Sequence, residues 1–219
     1  MGREFVLRNV RVFLTKKDRL KFVSHLDMNR FMTRIINLSK IPVWFTEGFN
    51  PHPYLTFALP LSLGFESDYE IMDIRIIDDD FSNEQVKNAL NEVMPEYLRV
   101  FKVADIKNKP GKIAFAKFMI SFSEFPDNLT MELSKFLMSE SIVVEKKGKK
   151  GKISTIDLAP KIKWFSIDDV KGKLVLSIIL PAGSTDNVNP TLLLDAYGKL
   201  PYYRVTRTMI YDAEMKEFE

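Results

Sequence analysis

The chain of 219 residues is long enough for one large domain or two small ones, and its 46% hydrophobic content is typical of a protein with a buried core. It has no cysteine. This excludes disulfide bonds, thiolate metal sites, an iron–sulfur cluster bound by cysteines of this chain and a cysteine nucleophile. The net charge of +3 is too small to indicate nucleic-acid binding by itself, so a basic surface requires local clustering.

No apolar run follows the charges of the first five residues, and no stretch approaches the roughly 20 apolar residues that span a bilayer. Gly2 lacks a Ser or Thr at the spacing of a myristoylation signal. We therefore expect a soluble protein, and the absence of cysteine fits a reducing cytoplasm.

The first half of the chain predicts the order strand, helix, strands, helix, strand. A β-rich pattern covers 6–14 and continues past a polar break into 20–23, which indicates a bulge or a tight turn. Ser24 is a good N-cap with Asp27 three residues later, so a helix begins there, and Pro42 marks its end. The remaining predicted elements are strands at 43–46, 69–77 and 98–106, an apolar stretch at 54–61, and a helix between Ser82 or Asn83 and Pro95.

A polar segment at 107–112 is the best linker candidate, and the pattern recurs after it. The later elements are strands at 113–122, 161–167, 173–180 and 203–211, helices at 128–138 and 189–198, and apolar segments at 142–144 and 153–158 that flank a basic hairpin tip. The repeated order is the split βαβ pattern. It predicts an α+β fold of two tandem ferredoxin-like units with mainly antiparallel sheets, residues 1–109 and 110–219. A single continuous α+β domain is the alternative.

The only two histidines stand in two polar strings, 24–30 and 48–53. His25 begins the predicted helix, where a neutral imidazole can serve as general base, metal ligand or hydrogen-bond donor; alternatively it only bonds a nearby carbonyl. His52 lies between Pro51 and Pro53, which present it rigidly, or which simply stiffen a turn.

Two histidines near one edge of a ferredoxin-like unit can form an acid–base pair. Metal-independent RNA cleavage by His25 and His52 is therefore one hypothesis. A metal site from these two residues with Asp27 and Glu47 lacks a recognised ligand pattern, and we predict none. Phosphate-binding glycine loops, nucleophile elbows and metalloprotease motifs are absent from the sequence.

Basic residues cluster locally and predict RNA contacts. Arg30 and Arg34 follow His25 on the predicted helix, and Phe49 and Tyr54 offer rings on which bases can stack. The other cations predicted to contact RNA are Lys16, Lys17, Arg19, Lys21, Lys146, Lys147, Lys149, Lys150 and Lys152. Alternatively, the lysine tip is a solvated hairpin and the aromatic residues belong to the core.

The segments 21–27, 47–53, 61–64 and 67–70, together with Pro42, closely resemble the radical SAM-linked family of unknown function, the DUF2344 domain. The resemblance is strong over about residues 8–80 and weaker through the lysine-rich hairpin, 156–160 and 205–208. Residues 16–19 depart from it, because we expect a glycine in that loop.

The resemblance implies an accessory of a radical SAM enzyme, encoded beside its relatives or fused to them, that acts in tRNA or rRNA modification or processing. The partner is expected to carry the iron–sulfur cluster and S-adenosylmethionine, and this chain no cofactor. The site residues carried over from the family's motifs are Ser24, His25, Asp27, Arg30, Gly48, Phe49, Asn50, His52 and Pro53. We expect an RNA-binding module without catalytic activity of its own; the alternatives are the RNA-cleaving enzyme and a domain that docks the radical SAM partner.

Overall fold

A computed structural model describes residues 6–77, 80–147 and 153–219. The chain divides into two compact units: unit 1 is Met1–Pro110 with Phe218–Glu219, and unit 2 is Gly111–Glu217. The fold is mixed α/β with mostly antiparallel sheet, and the described residues contain four α-helices. None of those helices combines the length and apolar character needed to cross a membrane.

Unit 1 contains a four-stranded antiparallel sheet with two helices. Its elements in chain order are β1 (Arg8–Lys16), α1 (His25–Ser39), β2 (Leu55–Phe57), β3 (Glu66–Ile76), α2 (Asn83–Val93) and β4 (Leu98–Asp105). The strand order is β4, β1, β3, β2, with Val12 opposite both Met72 and Val103. β1 and β3 are therefore the two inner strands of unit 1.

Both helices of unit 1 contribute to one core on one face of this sheet. Their buried side chains are Met28, Met32, Ile35 and Ile36 from α1, and Val86 and Leu90 from α2. They join alternate residues of the strands, among them Val10, Val12, Leu14, Met72, Ile74 and Ile76. Leu38, on the same helix as Ile36, is exposed.

Two segments of unit 1 differ from the predicted strands. Residues 18–22 form a 3-10 helix, because Asp18 turns the chain at a positive φ of 50°. Residues 43–46 make only single bridges, Val43 to Ile76 and Phe45 to Pro53, because this segment lies against an edge rather than within a ladder.

Unit 2 contains four antiparallel sheet strands, two helices and a separate hairpin. Its elements are β5 (Ile113–Phe122), α3 (Leu129–Leu137), β6 (Val143–Lys147), β7 (Ile153–Asp157), β8 (Trp164–Val170), β9 (Lys173–Pro181), α4 (Pro190–Tyr197) and β10 (Tyr203–Asp212). The order in the sheet is β10, β5, β9, β8, and β6 pairs with β7. The predicted lysine tip at 148–152 lies outside the described residues.

Local caps fix the ends of several elements in unit 2. Asn189 caps α4 by accepting from the backbone of Thr191 at 3.0 Å, and Gly198 ends that helix. At the root of the β6–β7 hairpin, the backbone N–H groups of Ile142 and Ala159 donate to Asp157, and these bonds lower the pKa of that carboxyl.

Candidate functional site

The beginning of α1 is fixed by a capping interaction. Ser24 accepts a hydrogen bond from the backbone N–H of Asp27 at 3.2 Å, and its hydroxyl donates to the Asp27 carboxylate at 2.7 Å. Arg30 contacts the same carboxylate at 3.3 Å, with 71% of its own side chain exposed. Ser24 and Asp27 are therefore engaged in holding the helix end.

His25 is exposed at the first position of α1, and its ring orientation is fixed by two neighbours. The Asn29 amide donates to the ring Nε2 at 3.1 Å and to the His25 carbonyl oxygen at 2.8 Å. The ring meets that of Phe57 edge-on, with 5.6 Å between the ring centroids. Because Nε2 accepts, the neutral ring carries its proton on Nδ1.

A small cavity of about 10 Å³ lies beneath His25, with room for about one water molecule. Two charged residues line it, Lys16 and Glu70, and both are almost fully buried. The Lys16 ammonium donates to the carbonyl oxygen of Val23 at 3.0 Å. Lys16 is therefore an interior residue and not a surface cation, and the prediction that it contacts RNA is corrected.

Residues 44–54 form a short hairpin on the edge of β3, which we call the Phe49 hairpin. The Thr46 N–H donates to the His52 carbonyl at 2.8 Å, and the Tyr54 N–H donates to the Trp44 carbonyl at 2.9 Å. The Trp44 N–H in turn donates to the Arg75 carbonyl at 2.8 Å, which joins the hairpin to the sheet.

A cation and two aromatic rings brace the stem of this hairpin. The Arg75 guanidinium lies 4.8 Å from the centroid of Trp44 and 4.7 Å from that of Tyr54. Its Nε donates to Asn9 on β1 at 2.9 Å. Cation–π contacts to two rings hold the stem in one arrangement. Tyr54 is therefore a half-buried stem residue.

The tip of the Phe49 hairpin, residues 47–51, is exposed throughout. Gly48 turns the chain there with φ of 125°, a backbone conformation that side chains other than glycine rarely adopt. Phe49 follows it with its side chain fully exposed, at 106% of the reference area. Phe49 is therefore not a core residue, and the hairpin presents its ring to solvent.

His52 and His25 have separate surroundings. Nδ1 of His52 lies 3.0 Å from the Asn50 carbonyl oxygen and 3.2 Å from the Thr46 hydroxyl. Within the described part of the chain, the two rings share no hydrogen-bond partner. Phe57, whose ring contacts that of His25, belongs to β2, whereas His52 belongs to the Phe49 hairpin.

The other predicted RNA-contact cations fall into four groups. Lys17 pairs with Asp68 at 2.5 Å, and Lys21 lies 4.0 Å from Glu66 with little exposure. Arg19 and Arg34 are exposed and have no ion-pair partner among the residues that the structure describes. Lys146 and Lys147 belong to β6. Lys149, Lys150 and Lys152 lie outside the described residues.

A family model described as "Uncharacterized protein conserved in bacteria (DUF2344)" matches residues 9–190. The chain belongs to the DUF2344 family. No curated protein matches it. Among solved structures, it is similar to a chain of the "Crystal Structure of a Cbf5-Nop10-Gar1 Complex", with a TM-score of 0.46 and 9% identity over 92% of this chain. This DUF2344 protein spans about half, 48%, of that solved chain.

Sequence reasoning missed the stem of the Phe49 hairpin in this DUF2344 protein. Trp44 lies in the predicted strand 43–46 and Arg75 in the predicted strand 69–77, and the sequence predicts no contact between them. An arginine on a strand predicts a cation–π contact only when the pairing of the strands is known, because the pairing decides which aromatic rings it can reach. In residues 6–77, 80–147 and 153–219, no three His, Asp or Glu side chains form a group that fits a metal ion.

Proposed function

We propose that this DUF2344 protein is an RNA-binding accessory of a radical SAM enzyme in tRNA or rRNA modification or processing. The observation that supports RNA binding best is the fully exposed Phe49 at the tip of a braced hairpin. An exposed aromatic ring on a rigid support is a stacking platform for an unpaired base, and it loses little conformational entropy on binding.

Cations on unit 1 support the same proposal. Arg30 and Arg34 stand one turn apart on α1, and both are exposed; Arg19 is exposed on the preceding 3-10 helix. Arginines of this kind contribute phosphate contacts, whose strength falls as salt rises. A net charge of +3 makes such local contacts the main electrostatic attraction for RNA.

The first test measures the binding of the full chain to fluorescently labelled tRNA and rRNA fragments by anisotropy. Phe49→Ala is expected to weaken binding about 5- to 100-fold through loss of stacking. Tyr202→Ala is the matched control, since Tyr202 is also an exposed aromatic residue, at 70%, and belongs to unit 2. Equal affinities for wild type and Phe49→Ala argue against the proposal.

The second test concerns the arginines. The double variant Arg30→Ala/Arg34→Ala should weaken binding and reduce the slope of log affinity against log salt by about 1 to 2. Lys199→Ala/Arg204→Ala removes the same charge from exposed positions in unit 2 and is the control. Wild-type protein that binds no structured RNA even at low salt removes the main support for RNA binding.

A second candidate function is docking of the radical SAM partner. Three large apolar side chains near the start of α1 are well exposed: Phe22 (69%), Leu26 (60%) and Leu63 (64%). The Gly64 N–H donates to the Lys21 carbonyl at 2.8 Å, which brings Leu63 beside Phe22. Exposed apolar residues in one area mark interaction surfaces.

Docking is tested by co-purification with a radical SAM enzyme encoded beside the gene. Phe22→Ser/Leu63→Ser should abolish co-purification while Phe49→Ala leaves it intact. The partner is expected to supply the iron–sulfur cluster and S-adenosylmethionine, because this chain contains no cysteine.

RNA cleavage by His25 and His52 together is less well supported by the geometry. The two rings share no hydrogen-bond partner within the described part of the chain, whereas an acid and a base acting on one phosphodiester must each reach it by hydrogen bond. Turnover on an RNA panel that disappears in both His25→Ala and His52→Ala would restore this alternative.

We also propose that both units are ferredoxin-like. Unit 1 has the order β4, β1, β3, β2 with helices after its first and third strands, and unit 2 has β10, β5, β9, β8 with the same helix positions. In unit 2 the β6–β7 hairpin is an insertion between α3 and β8. An experimental structure in which β1 pairs with neither β3 nor β4 would contradict this assignment.

A further inference from the structure

The Phe49 hairpin presents a hydrogen-bond acceptor on His52, three residues after the exposed Phe49. Nδ1 of His52 lies 3.0 Å from the carbonyl oxygen of Asn50. A carbonyl oxygen only accepts hydrogen bonds, so Nδ1 donates and carries the proton of the neutral ring. Nε2 therefore has a free lone pair, and it has no hydrogen-bond partner among the residues that the structure describes.

The position of this acceptor is fixed by the surrounding loop. The His52 backbone N–H donates to the Thr46 hydroxyl at 3.2 Å, and the same oxygen lies 3.2 Å from Nδ1. Pro51 and Pro53 restrict the backbone on both sides of His52. A ring held in this way offers one tautomer and one direction, which is what selective recognition needs.

The charge of the tip disfavours a phosphate as its ligand. Residues 47–51 contain the exposed carboxylate of Glu47 and no cation. A phosphate at this position would meet a like charge and the lone pair of Nε2, without a donor to neutralise it. A nucleobase is neutral, has a π face for Phe49 and carries N–H donors on its edge, so it suits both groups.

We propose that the Phe49 hairpin binds one unpaired nucleobase, which stacks on Phe49 and donates an amino hydrogen bond to Nε2 of His52. This inference rests on the proposed RNA-binding function. It adds that the recognised group is an amino group of the base and that His52 recognises it. A base within a duplex is excluded, because both of its faces are already stacked on neighbouring bases.

The test uses two single-stranded RNA decamers and the full-length chain. One decamer contains adenosine throughout, and the other contains purine riboside, which lacks only the 6-amino donor. Wild-type protein should bind the adenosine decamer about 3- to 10-fold more tightly, the value of one hydrogen bond. His52→Leu should bind both equally, and His52→Gln, which keeps an acceptor, should restore part of the preference.

The outcomes separate this inference from the function on which it rests. Binding to RNA with equal affinity for the two decamers, or a preference that persists in His52→Leu, overturns the inference and leaves RNA binding intact. Absence of binding to every RNA, tRNA included, overturns both. Circular dichroism of each variant confirms that the fold is retained, and Tyr202→Ala should keep the wild-type preference.

Discussion

Arg11 and Asp73 form an ion pair inside unit 1, directly opposite each other on β1 and β3. Two hydrogen bonds join them, at 2.7 and 2.8 Å, and the Arg11 side chain is fully buried. The Phe218 ring lies 4.8 Å from the guanidinium. The third guanidinium nitrogen, Nη1, is buried without a partner in the described chain. Paired charges in this position are costly to separate.

Asp73→Ala is therefore expected to lower the free energy of unfolding by about 3–5 kcal/mol, because it leaves a buried guanidinium without its counter-charge. The double variant Arg11→Met/Asp73→Leu should be clearly more stable than Asp73→Ala. Urea unfolding followed by Trp44 fluorescence in a Trp164→Phe background measures both. A loss below about 1 kcal/mol in Asp73→Ala would contradict this account.

Glu219 is held by two lysines of unit 1, Lys102 and Lys107. Hydrogen bonds from these ammonium groups lower the pKa of its carboxyl to about 2. A carboxyl whose pKa is lower in the folded state stabilises the fold at any pH above its unfolded-state pKa. This stabilisation is lost as the pH falls through the folded-state pKa. The sensitive range for Glu219 is therefore about pH 4.5 down to pH 2.

The melting temperature of wild-type protein should contain a contribution from Glu219 that declines across that pH range. Glu219→Gln should lower the melting temperature at pH 7. Between pH 4.5 and pH 2, the melting temperature of Glu219→Gln should fall less than that of wild type. Glu214→Gln is the control, because its carboxylate is 72% exposed. Parallel curves for wild type and Glu219→Gln would show that the lysine contacts do not stabilise the folded state.

At the scale of elements, the Phe49 hairpin depends on Arg75 more than on its own hydrogen bonds. The hairpin has only a few ladder bonds, and a short two-stranded hairpin is marginally stable by itself. The Arg75 guanidinium between Trp44 and Tyr54 adds contacts from β3, a longer and well-paired strand. The position of Phe49 is thus set by a residue of the central sheet.

Arg75→Ala should increase hydrogen–deuterium exchange of the Thr46 and Tyr54 amides by about 3- to 30-fold, as the cation–π contacts are lost. Global unfolding should change little by comparison, and RNA binding should weaken with the loosened tip. Arg204→Ala, an exposed arginine of unit 2, should leave exchange at the hairpin unchanged. Unchanged exchange in Arg75→Ala would mean that the stem is held by other contacts.

At the scale of the whole molecule, the last two residues belong to unit 1 although unit 2 precedes them in the chain. Phe218 is fully buried, and its carbonyl accepts a hydrogen bond from the Tyr69 hydroxyl at 3.3 Å. Asn108 donates its backbone N–H to the Glu219 carbonyl at 3.1 Å. Unit 1 therefore includes residues that follow unit 2 in the sequence.

Phe218→Ala should lower the free energy of unfolding of unit 1 by about 3–5 kcal/mol, the usual loss for a buried phenylalanine. The two tryptophans report on different units, Trp44 on unit 1 and Trp164 on unit 2, so single-tryptophan variants localise the effect. Phe218→Leu should retain most of the stability. An unchanged Trp44 transition in Phe218→Ala would contradict the assignment of the last residues to unit 1.

Much of the secondary structure follows from local sequence. Ser24, Ser82 and Asn189 cap helices as predicted, and Gly198 ends α4 as predicted. These caps are bonds between residues two to four positions apart, so their geometry is contained in a short segment. The same holds for the apolar face of α1, because helical periodicity decides which side chains lie together.

The sequence by itself determined the family, the helix ends and the two strings that contain the histidines. Only the tertiary structure decided that Lys16 is buried, that Arg11 faces Asp73, that Phe49 is exposed and that the histidines have different hydrogen-bond partners. These properties depend on which strands become neighbours, and strand pairing is set by long-range burial rather than by local spacing. The side chains that define the candidate site are positioned by such pairings.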